Sequence, residues 1–228
     1  MKITNPATGA VIADVAADNA AAVRRKYEVA RAGQVRWAKV PIRKRLDAIV
    51  KFRERIVAMH ETLARTLTHE VGKPLRQSRN ELNGLLGRID FFVAESPRAL
   101  REERVFADAG QKLEERITHE PLGVIANISA WNYPYFVGSN VFVPALVAGN
   151  AVLYKPSEFA TLTGLHIAEM LHEAGIPRDV FVPVVGDGAT GAALTRQPVD
   201  GVFFTGSYAT GAKIAAAAVG TTSTSSQT

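Results

Sequence analysis

Residues 123 to 158 read Gly-Val-Ile-Ala-Asn-Ile-Ser-Ala-Trp-Asn-Tyr-Pro-Tyr-Phe-Val-Gly-Ser-Asn-Val-Phe-Val-Pro-Ala-Leu-Val-Ala-Gly-Asn-Ala-Val-Leu-Tyr-Lys-Pro-Ser-Glu. A short β-rich run, Val124 to Ile128, leads through a Pro-aromatic loop into an apolar helix near Val137 to Ala148. Gly149-Asn150 then turns the chain into a second buried-type strand, Ala151 to Tyr154. Working outward, the same grammar repeats: a helix from Thr161 to Ala174, a strand at Phe181 to Val185, and a helix near Ala189 to Arg196. A strand at Val202 to Phe204 and a helix near Tyr208 to Ala218 follow. Apolar strands alternating with helices predict an α/β fold, a Rossmann-type doubly wound parallel sheet with helices on both faces. In that architecture ligands bind beyond the carboxyl ends of the strands. Chemistry is therefore sought just after Ile128, Tyr154, Val185 and Phe204.

Upstream the periodicity changes. Asn5, Pro6, Thr8 and Gly9 form a turn cluster that predicts a hairpin over residues 2 to 15. Beyond Asp18 and Asn19, which suit helix caps, about eighty residues read as helix. Ile49, Phe52, Ile56 and Met59, and then Leu82, Leu86, Ile89 and Phe92, recur at spacings of three and four, the mark of core-facing stripes. Pro41 and Gly72-Lys73-Pro74 divide the region into three or four helices. The expected organisation is a hairpin and helical part over residues 1 to 112, a short exposed strand within 113 to 120, the Rossmann-like region over 121 to 220, and a disordered Ser/Thr tail over 221 to 228.

Composition narrows the function classes. The chain of 228 residues has 47% hydrophobic and 21% charged residues, which excludes bulk disorder and predicts a packed core. It contains no cysteine, so disulfides, thiolate metal sites and a cysteine nucleophile are absent from these residues, and no metal site is expected. The net charge is +5, but 23 of the 27 Lys and Arg fall in residues 1 to 120, interleaved with acids as in Arg53-Glu54-Arg55. That is the pattern of solvated helix faces rather than of a phosphate-tracking stripe, so no nucleic-acid partner is expected. The first ten residues lack the apolar core of a signal peptide, and no apolar run reaches the length of a membrane span. A cytoplasmic protein without a membrane partner is the expectation.

The strand ends carry the polar residues. After Val185, Gly186-Asp-Gly188-Ala-Thr-Gly191 has the spacing of a dinucleotide fingerprint, but no carboxylate stands at the end of the following strand, Val202 to Ser207. A tight strand-to-helix turn explains these glycines as well as phosphate binding does. After Phe204, Gly206-Ser207-Tyr-Ala-Thr-Gly211-Ala-Lys213 falls short of a P-loop because Lys213 is displaced by one residue, about 100° round a helix. The helix N-terminus at Gly206 and Ser207 can still receive a pyrophosphate through backbone N–H groups. Lys155 and Glu158 can bond the hydroxyls of a ribose, or they can be ordinary neighbours of an N-cap at Ser157. Asn132 suits a turn, and its amide equally suits an oxyanion donor.

Taken in order, Glu120-Pro-Leu-Gly-Val-Ile, Trp131-Asn132-Tyr-Pro, Ala148-Gly-Asn-Ala-Val-Leu-Tyr-Lys155-Pro-Ser-Glu158 and Phe204-Thr-Gly206-Ser207 resemble the NAD(P)-dependent aldehyde dehydrogenase superfamily. Asn5-Pro-Ala-Thr-Gly and Glu70-Val-Gly-Lys-Pro-Leu extend the likeness, which spans residues 3 to 220. The resemblance implies an aldehyde-dehydrogenase-like fold and a nicotinamide cofactor, NAD, with NADP as the alternative. It implies that Asn132 is the side-chain donor of an oxyanion hole, and that Ile128, Ser129 and Trp131 line the cofactor channel. Lys155 and Glu158 then hold the adenosine ribose, with Ser157 between them among the cofactor-binding residues, Gly188 lies by the adenine, and Gly206 and Ser207 receive the pyrophosphate and approach the nicotinamide. Glu158, which repels a 2′-phosphate, favours NAD. Residues 113 to 120 resemble part of the family's oligomerisation strands, so a homo-oligomer is a candidate state. The family's cysteine nucleophile and its Glu-Leu-Gly-Gly base motif have no match here. The resemblance thus implies the amino-terminal half of such an enzyme, truncated and inactive alone in aldehyde oxidation. Half of a split enzyme completed by a partner chain, and a non-catalytic module that binds nucleotide or self-associates, are the alternatives.

Overall fold

The computed structural model describes residues 1–108, 110 and 112–222, with 219–222 described by their backbone alone. Strands β1 (Lys2–Thr4) and β2 (Val11–Asp14) form the expected antiparallel hairpin. Three helices follow: α1 (Ala20–Trp37), α2 (Ile42–Val71) and α3 (Leu75–Ala99). Asn19 begins α1 as foreseen, its side-chain oxygen accepting the N–H of Ala22 at 2.9 Å. Gly72 ends α2 in the left-handed conformation, φ 76°. The apolar stripes face inward: Ile49, Phe52 and Ile56 of α2 and Leu82 and Ile89 of α3 are fully buried.

Strand β3 (Glu103–Asp108), which the residue pattern does not announce, pairs antiparallel with β4 (Leu113–Ile117). The strand expected near 113 to 120 is therefore one arm of a ribbon that begins ten residues earlier. The ribbon has no buried face: Val105, Phe106, Leu113 and Ile117 are all exposed, so the alternation that marks a half-buried strand never develops.

The remaining elements are β5 (Val124–Ile128), α4 (Pro134–Ala148), β6 (Ala151–Lys155), α5 (Thr161–Glu173), β7 (Phe181–Pro183), α6 (Gly188–Thr195), β8 (Gly201–Phe204) and α7 (Tyr208–Thr222). Helix α4 starts at Pro134 rather than Val137, since proline is well placed in a first helical turn. Helix α7 runs through Thr222, so residues 221 and 222, read from composition as tail, are helical. The rest of that segment, 223 to 228, lies outside the described residues.

The four strands β5 to β8 form one parallel sheet in the order β7-β6-β5-β8. Every residue of β5 and β6 is buried, as a sheet covered on both faces demands. Alternation along β6 shows the two covers. Tyr154 faces α4, where a methyl group on Gly138 would come within 2.9 Å of its ring, and Lys155 faces α6, its Cε 3.4 Å from the place of a Gly191 methyl. On the α4 side Phe142 packs edge-on against Phe52, Tyr154 and Phe181, with ring centroids 6.2, 5.5 and 5.3 Å apart. Each such ring contributes about 1.5–3 kcal/mol through burial. The chain steps from β5 to β6 to β7 in one direction and then returns to place β8 on the far side of β5. The crevice between the ends of β5 and β8 is the reversal point where open α/β sheets bind ligands. Among the described residues no helix is long and apolar enough to cross a membrane.

Candidate functional site

The carboxyl ends of β5, β6 and β8 open on a cleft of about 860 Å³, closed on one side by α6 and on the other by α7. Its volume is that of a small-molecule or cofactor site. Ile128, Trp131 and Asn132 enter it from β5 and its loop, Lys155, Ser157 and Glu158 from β6, Gly188 from α6, and Gly206 and Ser207 from β8 and α7. Nine of the ten residues singled out from sequence thus share one cavity.

Ser129 is the exception. It is buried, its N–H donates to the Lys155 carbonyl at 3.0 Å, and it takes no part in the cleft wall. Ile128 pairs with Lys155 and faces the cleft, so pleating turns the next side chain to the opposite face of the sheet. Ser129, expected from the sequence to line the channel, does not border this cavity.

Lys155 is 4% exposed. Its ammonium donates to the Pro156 carbonyl at 3.1 Å and lies 3.8 Å from Glu158 Oε2. Burial pulls the amine below the usual lysine range, while Glu158 and Asp187 act against that shift. Ser157 caps the short turn Glu158–Ala160, its Oγ accepting the Phe159 N–H at 3.3 Å. The cap reading of Ser157 and its place in the cleft hold together.

At the other wall, Ser207 Oγ accepts the N–H of Thr210 at 3.3 Å and closes the first turn of α7. Among the described residues the N–H groups of Gly206, Ser207 and Tyr208 have no hydrogen-bond acceptor, which leaves a helix N-terminus free to receive an anion. A β-carbon at Gly206 would stand 2.4 Å from the tip of the Phe204 ring, so a larger residue there requires that ring to shift. Around Gly188 a β-carbon would meet nothing within 4 Å, so the backbone is open to the cleft. Lys213, displaced relative to a P-loop, still reaches the wall beside Thr210 and Ile214.

Asn132 sits on the exposed loop before α4. Its Oδ1 accepts the N–H of Tyr133 at 3.1 Å, and its carbonyl accepts from Lys73 Nζ at 2.5 Å. Only the oxygen of the amide can accept, so Nδ2 is the outward donor. Lys73 also pairs with Glu81 and lies 3.8 Å from the Tyr133 ring centroid. Reading the strand ends leaves out Lys73 and Glu81. The available signal was Glu70-Val-Gly-Lys73-Pro-Leu, which stands far from Asn132 in the chain and shows no periodic relation to it.

The whole chain compares with known proteins as follows. The family model described as "Aldehyde dehydrogenase family" matches residues 1–227. The chain is 35% identical over 187 residues to the N-succinylglutamate 5-semialdehyde dehydrogenase of Sphingopyxis alaskensis, covering 82% of this chain and 38% of that protein. The crystal structure of an aldehyde dehydrogenase from Brucella melitensis biovar abortus 2308 matches with a TM-score of 0.91 at 30% identity, over 97% of this chain and 46% of that one. A glyceraldehyde-3-phosphate dehydrogenase from Bacillus halodurans, solved in complex with NADP, matches with a TM-score of 0.89 at 29% identity, over 96% and 47%. The chain spans less than half the length of each of these proteins. The family model covers nearly every residue, and the fold agrees from the hairpin to α7: this chain belongs to the aldehyde dehydrogenase family.

Proposed function

We propose that this chain is the cofactor-binding part of an NAD(P)-dependent aldehyde oxidoreductase. The observation that carries the reading is the convergence of Lys155, Glu158, Gly188, Gly206 and Ser207 on one cleft at the sheet's reversal point. The residues fit the cofactor. A buried ammonium and a half-exposed carboxylate supply a donor and an acceptor for vicinal hydroxyls, and the α7 N-terminus supplies N–H groups and a favourable dipole for a pyrophosphate. A nicotinamide held there would supply the hydride acceptor for oxidation of an aldehyde to the acid level. Lys155 and Glu158 hold the adenosine ribose, Gly188 admits the adenine, and Gly206 and Ser207 bind the pyrophosphate. Ile128 and Trp131 wall the channel, and Asn132 Nδ2 donates to the oxygen of the reacting carbonyl as negative charge develops there. The likeness to a structure holding NADP supports a nicotinamide cofactor, and Glu158 favours NAD within that class.

The 228 residues contain no cysteine, so the thiol nucleophile of the family's reaction has to come from polypeptide outside them. On this reading the residues in hand bind nucleotide and do not oxidise aldehydes unaided. The exposed ribbon β3–β4, with Val105, Phe106, Leu113 and Ile117 open among charged residues, supports self-association, through which a homo-oligomer or a complementing chain is recruited. Calorimetric titration with NAD and NADP tests the proposal: saturable binding, tighter for NAD, is expected. The absence of heat with either nucleotide at millimolar concentration overturns it.

A further inference from the structure

We propose that Lys73 and Glu81 are positioning residues that set the orientation of the Asn132 amide. The inference rests on the oxyanion-donor reading of Asn132 and extends it to two residues that do not line the cleft. The segment from Asn132 to Phe136 is gripped at four points by these two side chains. Lys73 Nζ donates to the Asn132 carbonyl at 2.5 Å and stands 3.8 Å from the centroid of the Tyr133 ring. Glu81 Oε1 accepts the N–H of Tyr135 at 2.8 Å and of Phe136 at 3.3 Å, while its Oε2 takes the second bond of Lys73. Neither side chain is more than a tenth exposed.

The arrangement differs from an ordinary structural ion pair in what the partners do with their remaining valences. The carboxylate satisfies the N-terminal amides of α4, and the ammonium ties that same carboxylate to the backbone of the residue that carries the donor. With its carbonyl and its neighbour's ring held, the Asn132 backbone brings the Tyr133 N–H into reach of Oδ1. That contact turns Nδ2 outward. Freeing the carbonyl removes the restraint on the backbone, and the amide is then free to rotate away.

The test uses the full chain, labelled with ¹⁵N and free of nucleotide, so that its result stands whether or not the chain binds NAD. The Asn132 side-chain signal is assigned by its loss in Asn132→Ser. In Lys73→Met, the Tyr133 N–H is expected to exchange at least tenfold faster and the Asn132 amide signal to shift, with the Ile125 N–H in β5 unchanged. Lys73→Arg, which keeps a cation in place, is expected to restore both signals. Glu81→Gln retains the acceptor for Tyr135 and provides a second route if Lys73→Met does not fold; it should again speed Tyr133 exchange. Unchanged Tyr133 exchange and Asn132 signal in a folded variant, or an equal loss of protection at Ile125, overturns the assignment.

Discussion

Lys155 Nζ lies 3.8 Å from Glu158 Oε2 at the rim of the cleft, and the two are buried unequally, the lysine side chain 5% and the glutamate 37% exposed. The lysine is thus held in a fixed place by the α6 face, whereas the carboxylate looks into the cavity. Lys155→Met is expected to weaken NAD binding by tenfold or more, since a hydrogen bond to a charged group is worth about 1.5–3 kcal/mol. Calorimetry on the variant checks this, and an unchanged affinity would remove Lys155 from the cofactor site.

On the proposed reading, Glu158 carries the discrimination between the two nucleotides. Two like charges about 4 Å apart repel by roughly 1 kcal/mol in water and about 4 kcal/mol at an effective dielectric of 20. Glu158→Thr should therefore raise the ratio of NADP to NAD affinity by about tenfold, chiefly by strengthening NADP binding. Parallel titrations with both nucleotides decide it; a ratio that stays put places the 2′-position elsewhere.

Gly186 has φ +154°, and a β-carbon there would lie 2.0 Å from Thr190 Oγ1. That hydroxyl is not free to yield, because it donates to the Asp18 carbonyl at 2.9 Å and ties α6 to the segment before α1. Gly186→Ala is expected to cost about 2–4 kcal/mol through overpacking and backbone strain. Urea unfolding would show it as a lower midpoint at unchanged slope. A loss under about 0.5 kcal/mol would mean that the turn relaxes easily.

Glu70, in the last turn of α2, caps α5 by accepting the N–H groups of Leu162 and Thr163 at 2.6 and 2.9 Å and the Thr163 hydroxyl at 2.8 Å. Burial pushes its pKa above the usual carboxylate value in spite of these bonds. The folded state then holds the proton more tightly than the unfolded one, so stability falls as pH rises from about 4 through the raised value. Glu70→Gln removes this slope. Melting temperatures of the two proteins should be similar near pH 4, with the variant gaining on wild type toward about pH 7. A variant that loses ground as pH rises would show that the ionised carboxylate is the favoured cap.

The cleft at the strand ends is legible in the sequence because each of its walls is local. The stretch before Trp131-Asn132, the run Lys155 to Glu158 and the pair Gly206-Ser207 each follow an apolar strand directly, and strand ends are where open sheets bind ligands. Ser129 shows the limit of that inference. It is as close to a strand end as Ile128, but a period of two sends consecutive side chains to opposite faces, and which face meets the cleft depends on the covering helices. The ribbon β3–β4 was only half visible, since an exposed strand carries no pattern of burial to read.

By itself, the sequence determined the alternation of strands and helices, the caps at Asn19 and Ser157, the glycine at 206 and the absence of a thiol. These follow from side-chain volume, backbone freedom and hydrophobic period, all of which act within a few residues. Tertiary structure alone decided that β8 returns to the flank of β5 and that Lys73 reaches across to Asn132. Such contacts join residues far apart in the chain, and their energy comes from burial and charge pairing that no local period encodes.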